Sequence, residues 1–344
     1  MTMKELAEMM GISAATVSNA LTGAGRVSEA RRQEILRFAA EHGYDVQKIM
    51  DKKKSISCAV IIEDNVFFFT QEIVRGICAA AEDIGIFPEI YTLRVPDKTD
   101  PIYSDLEVIR DSLNRVLQQI LHHTRGIIYI ASYCKDLTSL ALDTLPVPVI
   151  CAYGTTTAGL SCLNYDDAQG AYLATSHLVQ TGCQRIAMIS GPVNSIAMAK
   201  RLQGYQRALL DGRLAFNPSL ITVGEWTIRN GYESMNQLLQ SDSPPDAVFC
   251  QSDLIAAGAL HAALNAGLSV PEQLSIVGFD DLEVGRHQII PITTIHPPCF
   301  ELGQEAFQLM QKMLSSSRAQ PAQIKLPCKL IPGKTTRPSA SLKQ

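Results

Sequence analysis

Residues 2–44 read TMKELAEMMGISAATVSNALTGAGRVSEARRQEILRFAAEHGY, and three short amphipathic segments can be taken from them. Leu6, Met9 and Met10 mark the apolar side of a helix that begins near Thr2, and Gly11 then supplies a turn that needs a permissive backbone. Ser13 is placed to cap a second helix through Val17, Ala20 and Leu21. Ser28 caps a third, whose Ile35, Leu36, Phe38 and Ala39 turn inward before Gly43 ends it. Helix, tight turn, helix is the geometry that lays a second helix into a major groove.

A plain helical bundle accounts for the amphipathic spacing but not for the outward face of the second helix. Ala14, Ala15, Thr16, Ser18 and Asn19 are small and uncharged there, and so can approach base edges closely. Thr2, Ser13, Thr16, Ser18, Asn19 and Thr22 offer hydrogen bonds to bases or phosphates, and Arg26, Arg31 and Arg32 lie near enough to meet the DNA backbone.

Composition bounds the remainder. A chain of 344 residues with 46% hydrophobic and 19% charged residues reads as an ordinary globular protein of two or three domains. No apolar run approaches the roughly 20 residues that span a bilayer, and the start of the chain is an acidic helix rather than a leader, so a cytoplasmic protein is expected. The net charge of −4 divides unevenly: residues 1–54 hold nine basic and seven acidic side chains, a balance of +2, which leaves −6 for the rest. That asymmetry suits a first segment that meets phosphate, and its small size implies help from a second copy. Nine cysteines are scattered without a C-x-x-C pair, and several sit in apolar runs, so buried reduced thiols are expected rather than disulfides or a metal site. His122 and His123 are adjacent and point to different helix faces, a poor metal pair. No metal and no cofactor are implied.

From residue 57 onward short apolar runs alternate with amphipathic stretches, the pattern of parallel strands joined by crossover helices. SCAVII (57–62), FPEIYTL (87–93), GIIYIAS (126–132) and VPVICAY (147–153) form one set of strands. RIAMIS (185–190), LITVGEW (220–226), AVFCQS (247–252) and LSIVGFD (274–280) form a second. The fold class is therefore α/β, with two doubly wound parallel sheets behind an N-terminal helix-turn-helix domain, and ligands usually bind in the crevice between two such units.

The segment GISAATVSNALTGAGRVSEARRQEIL resembles the headpiece of the LacI/GalR (lactose repressor) family, whose pattern VS-x-x-TVS-x-x-L-N-x-x-x-x-V-S precedes a third helix ending in G-Y. Ile12, Ser13, Thr16, Val17, Ser18, Leu21, Val27, Ser28, Gly43 and Tyr44 match, and Thr22 stands where Asn is usual. The resemblance places operator reading at Ala14, Ala15 and Asn19. With two alanines limited to methyl contacts, Asn19 carries most of the directional readout, an adenine contact being the natural one.

The resemblance continues through NYDDAQGA (164–171), HLVQTGCQRIAMISGP (177–192), RLQGYQRALLDG (201–212), SDLIAAGAL (252–260), LSIVGFDDLE (274–283), ITTIHPP (292–298) and ELGQEAFQLM (301–310), and implies a core shaped like a periplasmic sugar-binding protein. The implied division is residues 1–46 for the DNA-binding domain, 47–57 for a hinge and 58–344 for an effector-binding core. Lobe one spans about 58–162 and 293–320 and lobe two about 163–292 and 321–344, with crossings near Leu163, Ile292 and Gln320.

It also implies that Arg201, opening R-x-x-G-Y, forks onto an effector's hydroxyls or carboxylate, that Asp280 closes the floor of the site, and that Trp226, the only tryptophan, stacks on the ligand. Asn65 and Phe68 contribute the other wall. Ser252 and Asp253 stand where N-D is usual, and Tyr153 where an aspartate is frequent. Such a set suits a sugar or sugar derivative.

The hinge departs from the family. Where members carry Y-x-x-N-x-x-A-R-x-L, with its leucine in the minor groove, this chain reads YDVQKIMDKKKSISCAVII and is a few residues shorter. Ile49 or Met50 can act as the wedge and Lys52, Lys53 and Lys54 can grip phosphate; a solvated linker explains the stretch equally well. No heptad repeat at the carboxyl end argues for a tetramer, and a two-fold homodimer on a near-palindromic operator is the expected assembly.

Catalysis is not expected. Asp166 and Asp167, and Asp280 and Asp281, are neighbours that point apart, and the chain has no G-x-x-x-x-G-K-[ST], G-x-S-x-G or H-E-x-x-H. The expected function is a DNA-binding transcriptional regulator, a repressor for preference, tuned by a sugar-like effector. Alternatives are control by a protein co-regulator or a non-sugar ligand, and, further off, a solute-binding protein.

Overall fold

A computed structural model describes residues 3–22, 27–42, 57–63, 68–93, 106–132, 134–157, 159–315 and 321–338. The headpiece comprises α1 (Met3–Met9), α2 (Ala14–Thr22) and α3 (Glu29–Glu41). Leu6, Val17, Ala20, Ile35 and Ala39 are fully buried against one another, with Met10, Leu36 and Phe38 packed around them. Met9, expected inside, is 54% exposed. Leu6 and Met10 already occupy the inward stripe of this two-turn helix, and Gly11, at φ +64, turns the chain away before Met9 can be covered.

Both expected caps are present. Ser13 Oγ accepts from the Thr16 backbone N–H at 3.0 Å, and Ser28 Oγ from that of Arg31 at 3.4 Å. Arg32 is turned to a different use from phosphate contact: its Nε donates to the Ala20 carbonyl at 3.1 Å, tying α3 to α2.

The core holds two parallel sheets. In the first, β1 (Cys58–Ile62), β2 (Glu89–Thr92), β3 (Gly126–Ile130), β4 (Val149–Ala152), β5 (Ser161–Tyr165) and β11 (Gln323–Leu326) lie in the order β11-β5-β4-β3-β1-β2. In the second, β6 (Ile186–Ser190), β7 (Ile221–Val223), β8 (Ala247–Cys250) and β9 (Ser275–Val277) lie in the order β7-β6-β8-β9. Both show the doubly wound arrangement in which the second strand falls outside the first, so each has a switch point at the carboxyl ends of its strands. Cys58–Ile62, Gly126–Ile130 and Ile186–Ser190 are buried along their whole length, as expected of strands covered by helices on both faces.

Helices α4 (Phe68–Glu82), α5 (Leu106–Ile120) and α11 (Cys299–Ser315) cover the first sheet. Helices α6 (Asp167–Gln180), α7 (Ile196–Asp211), α8 (Ile228–Leu239) and α9 (Asp253–Asn265) cover the second, and a single turn, α10 (Glu283–Arg286), follows β9. Strand β10 (Thr294–His296) pairs antiparallel with β12 (Lys329–Ile331) beside the second sheet.

Sheet membership therefore puts the three crossings after Tyr165, after His296 and after Leu326, each a few residues beyond the positions expected near Leu163, Ile292 and Gln320. Residues 323–326 pair with β5 in the first sheet although the sequence suggested the second lobe; an apolar run shows that a strand exists, not which sheet receives it.

Helices α4 and α11 approach at backbone distance. A Cβ at Gly76 would strike the Phe300 carbonyl, and one at Gly303 the Ile73 carbonyl. Gly303→Ala is expected to cost about 1–3 kcal/mol through overpacking, read as a lowered melting temperature; an unchanged melt would refute the reciprocal contact.

Candidate functional site

The residues expected to read DNA lie on the first turns of α2. Ser13, Ala14 and Ala15 are exposed, and Thr16, Ser18 and Asn19 are half-exposed. Thr16 Oγ1 lies 2.8 Å from Ser13 Oγ, and Arg31 is paired with Glu34 at 2.7 Å. Thr2, Arg26, Ile49, Met50, Lys52 and Lys53 lie outside the described residues, as does the side chain of Thr22.

A cavity of about 620 Å³ opens where the carboxyl ends of the two sheets face each other. The first lobe contributes Phe68 and Phe69 from α4, Tyr153 after β4 and Tyr165 ending β5; the second contributes Trp226 after β7, Ser252 after β8 and Asp280 after β9. These are strand-end positions, where side chains escape the sheet but remain held by it. Tyr153, at φ +55, stacks on Tyr165 with centroids 4.5 Å apart and meets the edge of Phe69 at 5.2 Å. Phe300, Glu72, Arg75, Glu283, Arg286 and His296 also border it. Asn65 lies outside the described residues.

Arg201, on α7, reaches the same place from behind. Its Nε donates to Asp167 Oδ1 at 2.8 Å, its Nη1 donates to the Gln251 carbonyl and lies 3.4 Å from Asp280 Oδ1, and its guanidinium covers the Phe279 ring at 3.6 Å. Its side chain is 4% exposed, whereas that of Asp280 is 27% exposed. So the carboxylate, not the guanidinium, is the group presented to the cavity. Burial alone would lower the Arg201 pKa, but Asp167 and Asp280 outweigh it and hold the cation. Burial pushes Asp280 upward, and Arg201 and Ser252 draw it back.

The two acids of GFDD diverge. Asp280 and Asp281 both have left-handed backbones, at φ +98 and +52, which sends their side chains different ways. Asp281 turns from the cavity to accept from Arg286 Nε at 2.8 Å and to lie 2.9 Å from His296 Nδ1. Asp253 also leaves the effector set. It is fully buried, accepts from Thr294 Oγ1 at 2.6 Å and from the Leu282 backbone N–H at 2.7 Å, and so braces the turn that carries Asp280.

Nothing along the chain announces Asp167 as the partner of Arg201, because the two are 34 residues apart and the acid stands beside Asp166. Tyr165, Phe300 and His296 were likewise missed; each sits beside an interlobe crossing, and only the crossings bring them to the cleft.

A helix-turn-helix headpiece joined to a two-lobed binding core defines a ligand-responsive DNA-binding regulator. Residues 2–47 match the model for bacterial regulatory proteins of the lacI family, and residues 175–336 that for a periplasmic binding protein-like domain. The chain is 32% identical over 340 residues to the HTH-type transcriptional repressor CytR of Escherichia coli K12, covering 98% of this chain and 96% of that one. It is 28% identical over 321 residues to the HTH-type transcriptional repressor PurR of Haemophilus influenzae, covering 91% of each. Among solved structures, the transcriptional regulator CelR in complex with cellobiose is similar at 26% identity and a TM-score of 0.68, covering 97% of this chain and 99% of that one. The Lac repressor bound to ONPG in its repressed state is similar at 25% identity and 0.72, covering 98% and 99%. The chain belongs to the LacI family of bacterial regulatory proteins. It is a DNA-binding transcriptional regulator with an effector-binding core; its curated relatives are repressors, not enzymes. Among the described residues no helix is long and apolar enough to cross a membrane.

Burial raises the Asp281 carboxyl, but hydrogen bonds from His296 and Arg286 outweigh it and bring the pKa down to about 2. Its unfolded value is about 3.9. The resulting stability is present above about pH 4 and is lost as pH falls through about 2. Arg286→Ala should therefore move the acid-unfolding midpoint, followed by circular dichroism, to higher pH; no movement would show that the pair does not support the fold.

Proposed function

We propose that the protein is a cytoplasmic repressor that holds a near-palindromic operator as a two-fold homodimer and is tuned by an uncharged sugar or sugar derivative in the cleft. The observation that carries the effector class is the pairing of one presented carboxylate, Asp280, with aromatic walls from both lobes. Carboxylates take paired hydroxyls, and rings cover the apolar faces of sugars. Charge supports an uncharged ligand. Arg75 pairs with Glu72 at 2.6 Å, Arg286 with Asp281 at 2.8 Å and Arg201 with Asp167, so the cationic groups around the cleft are already compensated. The solved relative CelR was captured with cellobiose, which is in keeping with this class.

Asp280 also suggests how binding is transmitted. Through Arg201 it is joined to Asp167, the first residue of α6 beyond the first crossing, and a ligand drawn onto Asp280 shifts charge against the crossing itself. Lobe closure then alters the spacing of paired headpieces, a coupling of about 1–3 kcal/mol in typical allosteric systems.

On DNA, Ala14 and Ala15 supply methyl contacts and Asn19 the directional readout, with Ser13, Thr16 and Ser18 toward phosphate or base edges and Lys52 and Lys53 gripping phosphate beyond the headpiece. Asn19→Ala is expected to relax discrimination at one operator position by about 1–3 kcal/mol, measured by competition binding against single-base operator variants. Equal losses at every position would assign Asn19 to the DNA backbone instead.

A thermal-shift screen over neutral sugars and glycosides tests the effector class, because a ligand at 100 times its Kd adds about 2.7 kcal/mol. Asp280→Asn should abolish the shift while operator binding persists. If no sugar or sugar derivative shifts the wild-type melt, the effector class fails, and a non-sugar ligand or a protein co-regulator takes its place.

A further inference from the structure

Cys134 and Lys200, neither of which lines the cavity, meet across the boundary between the lobes. Cys134 follows β3 in the first lobe, within a loop held to that lobe by the Asp136–Thr155 bridge and by the Lys135–Glu63 ion pair at 2.7 Å. Its backbone is left-handed, at φ +53, a conformation uncommon for any residue but glycine, and its Sγ meets the second lobe. Lys200 comes from α7 in the second lobe, with Nζ 3.2 Å from Sγ. The thiol also points at Asn164 Oδ1, 3.5 Å away on β5. Of the nine cysteines, this one has an amine at contact distance among the hydrogen bonds of the described residues, and that amine belongs to the opposite lobe.

We propose that Cys134 and Lys200 form an oxidative covalent crosslink that fastens the two lobes together. Hydrogen peroxide, the oxidant, converts the thiol to a sulfenic acid and leaves as water. The deprotonated Lys200 amine then attacks Sγ; a sulfur–nitrogen bond forms, the sulfur–oxygen bond breaks, and the hydroxyl departs as water with the proton that nitrogen gives up. Condensation of a sulfenic acid with a neighbouring nitrogen is established sulfur chemistry, and a thiol reduces the product back to thiol and amine. Cys134 is fully buried beneath Lys200, so oxidant enters when the lobes part and the bond closes when they return. Burial raises the thiol to about 11, with Asp167 adding to it and Lys200 and Arg201 opposing. The reaction is correspondingly slow and suits sustained rather than transient oxidation. The inference does not depend on which effector occupies the cleft.

The test uses the full chain, exposed to hydrogen peroxide, alkylated, digested and mapped by mass spectrometry without reductant. The peptide carrying Cys134 should be joined to the one carrying Lys200, lighter than their sum by two hydrogen atoms, and should separate on treatment with dithiothreitol. Lys200→Arg, which keeps the charge but cannot form the bond, and Cys134→Ala should both lack it. The oxidised wild type should melt higher than its reduced form, whereas oxidised Lys200→Arg should not. Cys78, the one half-exposed cysteine, reports whether oxidant acted. Oxidised Cys78 beside an unlinked Cys134, whether still a free thiol or carried on to sulfinic acid, would overturn the proposal. A crosslink that leaves the melting temperature unmoved would overturn the fastening of the lobes.

Discussion

A single guanidinium taken out of water organises the cleft. Arg201 is almost wholly buried, and a charge in that position persists only if its desolvation is met on every side. The compensation comes from three stretches distant in sequence: Asp167 at the first crossing, the Gln251 carbonyl after β8 and, after β9, Asp280 together with the face of its neighbour Phe279. Removing one partner of such a pair costs about 3–5 kcal/mol. The tips of β8 and β9 and the start of α6 are therefore held in one arrangement by a contact that lies at the wall of the cavity.

This arrangement explains how a cleft can be firm and still move. The largest apolar cluster is not confined to a lobe: it runs from Val60, Ile62 and Ile128 in the first sheet through Tyr153 and Tyr165 to Met188, Phe249 and Phe279 in the second. Only small rotations leave such packing intact, because close-packed interiors shift between discrete arrangements rather than stretch. The crossings place Asp167, paired with Arg201, at the first and His296, against Asp281, at the second.

The parts that were legible in the sequence are those governed by neighbours along the chain. Ser13 and Ser28 cap helices because the N–H groups they satisfy lie three residues away, and the buried strands announce themselves as apolar runs. Family resemblance pointed to Arg201, Trp226 and Asp280 as lining residues, and all three border the cavity. What it did not reveal was how Arg201 is held, since its guanidinium pairs with Asp167, a pairing with no local signature. Asp253 shows the same limit: its type suited a ligand contact, but the hydroxyl of Thr294, 41 residues on, claims it. Arg32 was misread toward phosphate because nothing in its helix discloses that the Ala20 carbonyl is within reach.

The two consecutive left-handed aspartates after β9 carry a further consequence. Residues held in such conformations cost of order 1–3 kcal/mol each, and glycine adopts them with little penalty. Glycine there would relieve that strain, but it would leave the buried Arg201 without Asp280, at about 3–5 kcal/mol, and Arg286 without Asp281. The strained turn is thus kept in place by the ion pairs it makes possible. Within these two residues a carboxylate cannot be erased without also loosening the chain.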